Sequence, residues 1–174
     1  FGITNLKGEI LGEYKYPILH LKDTGIGSFG YQTPTNYGLT FVNNNEVILW
    51  GEGLDKRMPQ PLPPAIEVPY RSVFLRVGMD GERKSDLFWF EMSEYPDRRM
   101  SDAATDIDGN MVFICESAAI INGKDGLWRN LYKIMPDNSI DTVAEVPIGY
   151  LRGGSPKMAI DSLGNYIISP TIQG

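Results

Sequence analysis

The sequence has one cysteine, one histidine and no long hydrophobic run. Because Cys115 is the only cysteine in 174 residues, an internal disulfide and a cysteine-based zinc cluster are both excluded for this chain. It lies in an apolar run, which predicts a buried hydrophobic side chain rather than a nucleophile. No apolar run approaches the roughly 18 residues that cross a bilayer, so we predict no membrane span.

Concentrated positive charge is also missing. The formal net charge is -6, and the 16 Lys and Arg residues form no basic stripe. Phosphate backbones are bound by clustered cations, so we predict no nucleic-acid partner. What is present is 19 glycines and 12 prolines among 42% hydrophobic residues, a composition typical of a globular, turn-rich protein.

One phrase occurs twice in the chain, as A-T-D-I-D-G-N-M-V-F from Ala104 and A-I-D-S-L-G-N-Y-I-I from Ala159. In each copy a Gly-Asn turn separates two apolar segments, which predicts a β-hairpin. A weaker copy, L-T-F-V-N-N-N-E-V-I from Leu39, aligns at an offset of 65 and puts Asn44 where Gly109 stands. The recurring Asp106 and Asp161 are predicted to support the turns.

A second phrase alternates with the first. L-Y-K-I-M-P-D-N-S-I from Leu131 matches F-G-I-T-N-L-K-G-E-I from Phe1 at a constant offset, and F-L-R-V-G-M-D-G from Phe74 is a third member. These segments also predict hairpins. If the first phrase supplies strands A and B and the second supplies C and D, the chain reads C-D, A-B-C-D, A-B-C-D, A-B.

Four-stranded units in series are typical of β-propeller blades. We therefore predict an all-β fold made of four-stranded antiparallel blades, six-bladed when complete, of which this chain supplies about three. The predicted blade pieces are residues 1–17, 38–92, 103–147 and 157–174. Because the chain starts and stops inside blades, we expect the remaining blades in the same polypeptide.

The predicted loops divide unequally between the two ends of the blades. The A-B and C-D turns are short, whereas the D-A loops at 18–37, 93–102 and 148–157 and the B-C loops at 50–71 and 116–128 are long. These five loops hold nine Lys and Arg residues against nine Asp and Glu residues, so the rest of the chain holds the whole net charge of -6. Binding residues concentrate on loops carried by a rigid scaffold, which makes the loop-bearing end the predicted site.

Candidate site residues follow from their place in these loops. A neutral, cation-containing surface on an acidic body could receive an anionic group. The predicted substrate-binding residues are Arg99, Tyr150, Arg152 and Lys157, and the predicted catalytic residues are Asp102 and His20. His20 is the only histidine and could carry a proton, although a lone histidine is more often a surface or structural residue, and no Ser or Cys partner for a triad is evident.

Two further features have a structural and a functional interpretation. Residues 57–70 carry five prolines and are similar to ligands of proline-binding domains, but we favour a stiff loop that covers the mouth or a neighbouring blade. Trp50, Trp89 and Trp128 lie in or beside predicted strands. We predict that they pack between blades rather than stack on a sugar.

From Ser101 onwards the pattern resembles the six-bladed propellers of the gluconolactonase and senescence marker protein family, and the related NHL-repeat proteins. The resemblance is carried by S-D-A-A-T-D-I-D-G-N-M-V-F, L-Y-K-I-M-P-D-N-S-I and S-P-K-M-A-I-D-S-L-G-N-Y-I-I. It implies a divalent cation, such as calcium, held by carboxylate and Asn ligands. At the positions implied as ligands the chain has Asp102 and Lys157, and a lysine repels a metal ion, which disfavours a metal-dependent lactonase and predicts no metal ligands.

Two functions therefore stay open. One is a hydrolase or lyase, or a binding protein, acting on a small or carbohydrate ligand with an anionic group. The other is a non-catalytic propeller that binds a protein partner or builds an assembly. The first hairpin is also similar to the start of a sugar-kinase domain, but the repeats that follow it disfavour that interpretation.

Overall fold

The computed structural model describes residues 2–14, 37–43, 45–54, 70–90, 98–121, 124–146 and 156–169. Within these ranges the chain is built of β-strands without a helix. The strands are β1 (Gly2–Thr4), β2 (Ile10–Glu13), β3 (Tyr37–Val42), β4 (Glu46–Leu54), β5 (Tyr70–Gly78), β6 (Phe88–Trp89), β7 (Arg98–Thr105), β8 (Met111–Ile121), β9 (Lys124–Ile134), β10 (Ile140–Val146), β11 (Met158–Ile160) and β12 (Tyr166–Ile168). No described segment forms a helix of the length and apolarity that crossing a bilayer requires.

The strands pair in chain order, and every pair is antiparallel. β3 to β6 form a first sheet and β7 to β10 a second sheet, each a meander of four strands. β1 and β2 form a first hairpin, and β11 and β12 form a last hairpin. The predicted all-β fold and its four-stranded antiparallel units are confirmed.

Five of the described turns share one geometry. After β7, the Asp106 N–H donates to the Asn110 carbonyl at 2.9 Å, and the Gly109 N–H donates to the Asp106 carbonyl at 3.0 Å. The fourth residue of each such turn has a positive φ, as a type I turn followed by a left-handed residue requires. These residues are Gly8 (81°), Gly81 (81°), Gly109 (82°), Asn138 (67°) and Gly164 (83°).

The recurring aspartates serve these turns, as the sequence predicts. Asp106 Oδ1 accepts the backbone N–H groups of Asp108 at 3.0 Å and Asn110 at 2.8 Å. Asp161 Oδ1 accepts the N–H of Leu163 at 2.8 Å and a second N–H at 2.9 Å, in the same pattern. A side chain that satisfies backbone donors in this way mimics a further turn of backbone and stiffens the hairpin.

Turns of successive units lie side by side. The Asn43 N–H in the β3–β4 turn donates to the Gly109 carbonyl at 3.0 Å. The positive φ of Gly109 favours glycine there, and a Cβ added at this position would also crowd Asn43, 2.8 Å from its Oδ1 and 3.3 Å from its backbone N. The short turns of the two sheets therefore share one end of the molecule.

The alignment of the weaker copy is wrong by one residue. Val42 pairs with Glu46 across the β3–β4 turn, and Asp106 pairs with Asn110 across the β7–β8 turn. Val42 therefore corresponds to Asp106, whereas the sequence alignment matched Phe41 with Asp106. Asn44, which the sequence aligned with Gly109, lies outside the described residues. Since neighbouring side chains of a strand point to opposite faces, this shift exchanges the two faces of β3 relative to the sequence alignment.

The largest core lies between the two sheets. Phe74 from the first sheet lies 5.2 Å from Phe113 of the second, between ring centroids. Phe90 meets Phe113 edge-on at 5.4 Å and Tyr132 at 4.4 Å. Cys115 is buried in the same cluster, which confirms its predicted role as a small hydrophobic residue.

Two smaller cores cover the outer faces of the sheets. Val112, Ile114 and Leu131 of the second sheet pack against Met158 and other residues of the last hairpin. The opposite face of the first sheet holds Val47 and Leu49 with neighbouring apolar side chains. β7 contacts both β3 and β11, so the first strands of successive units are neighbours.

The predicted long loop at 116–128 is wrong. β8 and β9 pair without interruption from Met111↔Ile134 to Ile121↔Lys124. Residues 122 and 123, which lie between the two strands, are outside the described residues. The extended segments that sequence reasoning assigned to a loop are therefore strand ladder.

Asp106 also forms a buried ion pair with Lys133, 2.6 Å from Oδ2 to Nζ, and its side chain is 4% exposed. Burial favours the neutral acid, but the Lys133 ammonium and the N–H groups of Asn110 and Asp108 outweigh it and lower the pKa of Asp106. The hydrogen bond to Asp106 likewise raises the pKa of Lys133 despite partial burial. The charged pair links the β7–β8 turn to β9.

We expect the free energy of unfolding to fall as the pH is lowered through the acid range. A carboxyl whose folded pKa is depressed stabilises the protein above its unfolded pKa of about 3.9, and that stability is lost as pH falls toward the folded pKa. Urea unfolding at pH 7 and pH 3 should show Asp106→Asn much less stable than wild type at pH 7 and closer to it at pH 3. Asp108→Asn is the control, and a constant difference at both pH values for Asp106→Asn would contradict the prediction.

Candidate functional site

The end of the sheets opposite the short turns is the loop-bearing end, where strands β7 and β11 begin. The structure describes part of the predicted site there. His20, Tyr150 and Arg152 lie outside the described residues. Arg99 lies on β7, where its backbone pairs with Glu116, and Asp102 and Lys157 are described with their side chains.

The structure brings Asp102 and Lys157 together. Asp102 Oδ1 lies 3.5 Å from Lys157 Nζ, and Asp102 Oδ2 accepts the backbone N–H of Met158 at 2.8 Å. Asp102 is on β7 and Met158 begins β11, so the carboxylate joins the first strands of two successive units. Both of its oxygens are engaged by the neighbouring unit.

A β-bulge precedes Asp102. The register of β7 against β8 shifts between Met100, which pairs with Cys115, and Asp102, which pairs with Ile114. Ser101 between them is buried, and its hydroxyl donates to the Ile114 carbonyl at 3.4 Å. A bulge re-aims the side chain that follows it, and such irregularities are common next to functional sites.

The backbone of Lys157 is held by hydrogen bonds, whereas most of its side chain is exposed to solvent. Its N–H donates to Ser169 Oγ at 3.0 Å, and its carbonyl accepts the Ser169 N–H at 2.9 Å. The side chain is 72% exposed, against 19% for Asp102. The ammonium is therefore held near one carboxylate while most of its surface stays in water, where it can meet an anionic ligand.

The repeat sets these two residues apart from the turn aspartates. Asp102 and Lys157 occupy equivalent places, each just before its copy of the first phrase. Asp106 and Asp161 are identical in the two copies because each turn needs the same acceptor. The position just before the repeated phrase instead holds Asp in one unit and Lys in the other. The turns do not depend on this position, so it can serve a different role in each unit.

The tryptophans divide between two environments. Trp50 packs against the core between the sheets, and its indole N–H donates to Thr40 Oγ1 at 3.1 Å, which agrees with the predicted packing role. Trp89 lines a cleft of about 370 Å³ between β6 and β10 that sequence reasoning missed. The other lining residues are Phe88, Phe90, Tyr132, Asn138, Ile140 and Thr142. The Trp128 side chain lies outside what the structure describes.

Among the described residues there is no group of three or more His, Cys, Asp or Glu side chains that could hold a metal ion. Asp102 itself is next to an ammonium group. Of the predicted site residues at the loop-bearing end whose side chains are described, Lys157 supplies an exposed ammonium group and Asp102 a carboxylate that the neighbouring unit engages.

Comparisons with protein-family models, with curated proteins and with solved structures found no match to this chain.

Proposed function

We propose that the chain is a section of a β-propeller whose loop-bearing end binds a small or carbohydrate ligand through an anionic group. The propeller is supported by two successive four-stranded meanders whose first strands are neighbours, with β7 in contact with both β3 and β11. The observation that carries the ligand proposal is the exposed Lys157 ammonium at the start of β11.

In this proposal Lys157 is the anion contact and Asp102 is a positioning residue. Asp102 accepts the Met158 N–H and lies beside Nζ, so it holds the start of β11 and orients the lysine. Arg99, which lies on β7 rather than in the predicted loop, is proposed as a further ligand contact together with Tyr150 and Arg152, and His20 is proposed as a proton carrier. Hydrolase or lyase chemistry on such a ligand remains the proposed activity class.

We expect D-gluconate to bind to the wild-type chain and D-glucose, which lacks the carboxylate, to bind much more weakly. A charged hydrogen bond contributes about 1.5 to 3 kcal/mol, so Lys157→Ala should weaken gluconate binding by about 10-fold or more. Isothermal titration calorimetry measures both ligands. Lys157→Arg keeps the charge and is the matched control, which should bind within a few-fold of wild type.

Equal gluconate affinity for wild type and Lys157→Ala would contradict the role of Lys157. If gluconate does not bind the wild type at all, the ligand proposal fails for sugar acids. Arg152→Ala then separates the remaining contacts, because an anion site built by the 148–157 loop would lose affinity for D-glucose 6-phosphate in that variant.

The second candidate is a non-catalytic propeller that binds a protein or builds an assembly. It is favoured by the engagement of both Asp102 oxygens and by exposed apolar side chains on β3, where Leu39 is 45% and Phe41 58% exposed. Binding of gluconate through Lys157 would favour the first candidate. Its absence, together with a stable assembly, would favour the second.

A further inference from the structure

The cleft between β6 and β10 is separate from the proposed site at the loop-bearing end. It lies between the last strands of the two four-stranded sheets, and its lining residues do not include Asp102 or Lys157. Its volume of about 370 Å³ falls within the range of pockets that hold small ligands. A ligand in this cleft would therefore not compete with one bound through Lys157.

Aromatic side chains line much of the cleft. Phe90 and Tyr132 are 4% and 1% exposed, and their rings meet edge-on at 4.4 Å, so they form a fixed floor. Phe88 and Trp89 are partly exposed, and Phe88 stacks on Phe74 of the core with 5.3 Å between ring centroids. Because the core holds these rings, a ligand does not have to order them on binding, which lowers the entropic cost of the complex.

Asn138 brings a polar group to the cleft from the β9–β10 turn. It has a φ of 67°, at a place where the other described turns of this geometry have glycine. Its Oδ1 accepts a hydrogen bond from Arg76 Nε at 2.9 Å. Because a guanidinium group only donates, the amide oxygen must face Arg76, and the amide NH2 group makes no hydrogen bond within the part of the chain that the structure describes. The turn therefore leaves a hydrogen-bond donor for the cleft.

The polar groups of the cleft are uncharged. Thr142 on β10 joins Asn138 there, and no Asp, Glu, Lys or Arg is among the described residues that line it. Arg76, which holds Asn138, is already paired with Glu46 at 3.0 Å. A charged ligand would lose water without gaining a counter-charge, and a purely apolar ligand would leave the amide NH2 unpaired. The lining therefore suits a neutral ligand that has both an apolar face and hydroxyl groups.

The two strands beside the cleft are poorly suited to pairing with a further strand. β6 consists of Phe88–Trp89 only, and the register of β10 against β9 shifts between Thr142 and Ala144. Short edge strands and bulges are features by which proteins prevent strand addition. A compact ligand is therefore favoured over an extended peptide.

We propose that this cleft binds a neutral saccharide of about one or two pyranose rings. In β-linked glucose the ring substituents are equatorial, so the axial C–H groups form an apolar face. That face stacks on Trp89 and Phe88, while the sugar hydroxyls bond to the Asn138 NH2 group and to Thr142 Oγ1. Trp89 thereby has the sugar-stacking role that sequence reasoning disfavoured. Neither a ligand at Lys157 nor the number of blades affects this binding.

Cellobiose, a neutral disaccharide of β-linked glucose, is the probe, and sorbitol, which has hydroxyl groups but no ring, is its control. In an NMR titration of the 174-residue chain, cellobiose should shift the indole N–H signal of Trp89. The signal of Trp50, whose indole donates to Thr40, should stay unchanged, and sorbitol should shift neither signal. Equal responses to the two compounds, or no shift of the Trp89 signal at up to about 20 mM cellobiose, would overturn the proposal.

Isothermal titration calorimetry on variants tests the location. Trp89→Ala should weaken cellobiose binding about 10-fold or more, whereas Trp89→Phe keeps an aromatic face and should bind within a few-fold of wild type. Thr142→Val keeps the β-branched shape of an exposed strand residue and should weaken binding about 5-fold.

Lys157→Ala separates this site from the proposed one. It should bind cellobiose as the wild type does, and Trp89→Ala should keep the wild-type affinity for gluconate. If Lys157→Ala lowers the affinity for cellobiose, or if Trp89→Ala and Thr142→Val both keep it, the sugar does not bind in the cleft.

Discussion

Replacement of Phe113 by alanine is expected to lower the free energy of unfolding by about 4 kcal/mol, the usual cost of deleting a buried aromatic ring. Phe113 is fully buried, and its ring contacts Phe74 of the first sheet at 5.2 Å, Phe90 at 5.4 Å and Tyr132 at 5.5 Å. The substitution removes the residue at which the two sheets meet. Close-packed rings on both sides cannot collapse fully into the space left behind.

Urea unfolding followed by circular dichroism measures this loss. Leu163→Ala is the matched control, because Leu163 is 80% exposed in the β11–β12 turn and its truncation should change stability by less than about 0.5 kcal/mol. Similar small effects for both variants would show that the two sheets do not share one core. A lower denaturant slope for Phe113→Ala would indicate that the sheets unfold separately.

Replacement of Arg76 by methionine is expected to cost about 3 kcal/mol, because it removes the donors from several acceptors at once. The Arg76 guanidinium donates to Glu46 Oε2 at 3.0 Å, to Asn138 Oδ1 at 2.9 Å and to the Met135 carbonyl at 3.1 Å. Its side chain is 6% exposed, whereas that of Glu46 is 29% exposed. Arg76 therefore ties β5 to β4 and to the β9–β10 turn of the next sheet.

Arg83→Met is the control for this experiment. Arg83 pairs with Asp86 at 3.5 Å, but its side chain is 48% exposed, and an exposed pair contributes well under about 1 kcal/mol. Thermal unfolding should therefore separate the two variants by several degrees. If Arg76→Met and Arg83→Met unfold at the same temperature, the inter-sheet hydrogen bonds of Arg76 do not contribute to stability.

The burial of Arg76 and its hydrogen-bond partners were not predicted from the sequence. Arg76 sits in the apolar strand F-L-R-V-G, and nothing local says that its guanidinium will be buried. Its acceptors at Met135 and Asn138 are far away in the chain and belong to a different hairpin. A signal was present in the strand itself, because a charged residue flanked by buried apolar residues requires partners.

The candidate site was predicted in part. Asp102 and Lys157 were both selected from the sequence as residues of predicted long loops, whereas the structure places Asp102 on β7, with its carboxylate 3.5 Å from the Lys157 ammonium. The Asp102 contact with the Met158 N–H was not predicted, because it depends on how one unit sits against the next. Roles for His20, Tyr150 and Arg152 stay predictions.

The sequence by itself determined the local architecture of this protein. Gly-Asn and Asp-Asn turns at fixed spacing, with an aspartate acceptor and apolar flanks, are short-range signals, and they were enough to predict alternating hairpins in the observed order. The face that each strand buries, the continuous β8–β9 ladder and the partners of Arg76 and Asp102 were decided only by the tertiary structure. A one-residue shift in a turn leaves composition and periodicity unchanged but reverses a strand's faces, and only packing against a neighbouring sheet distinguishes the two alternatives.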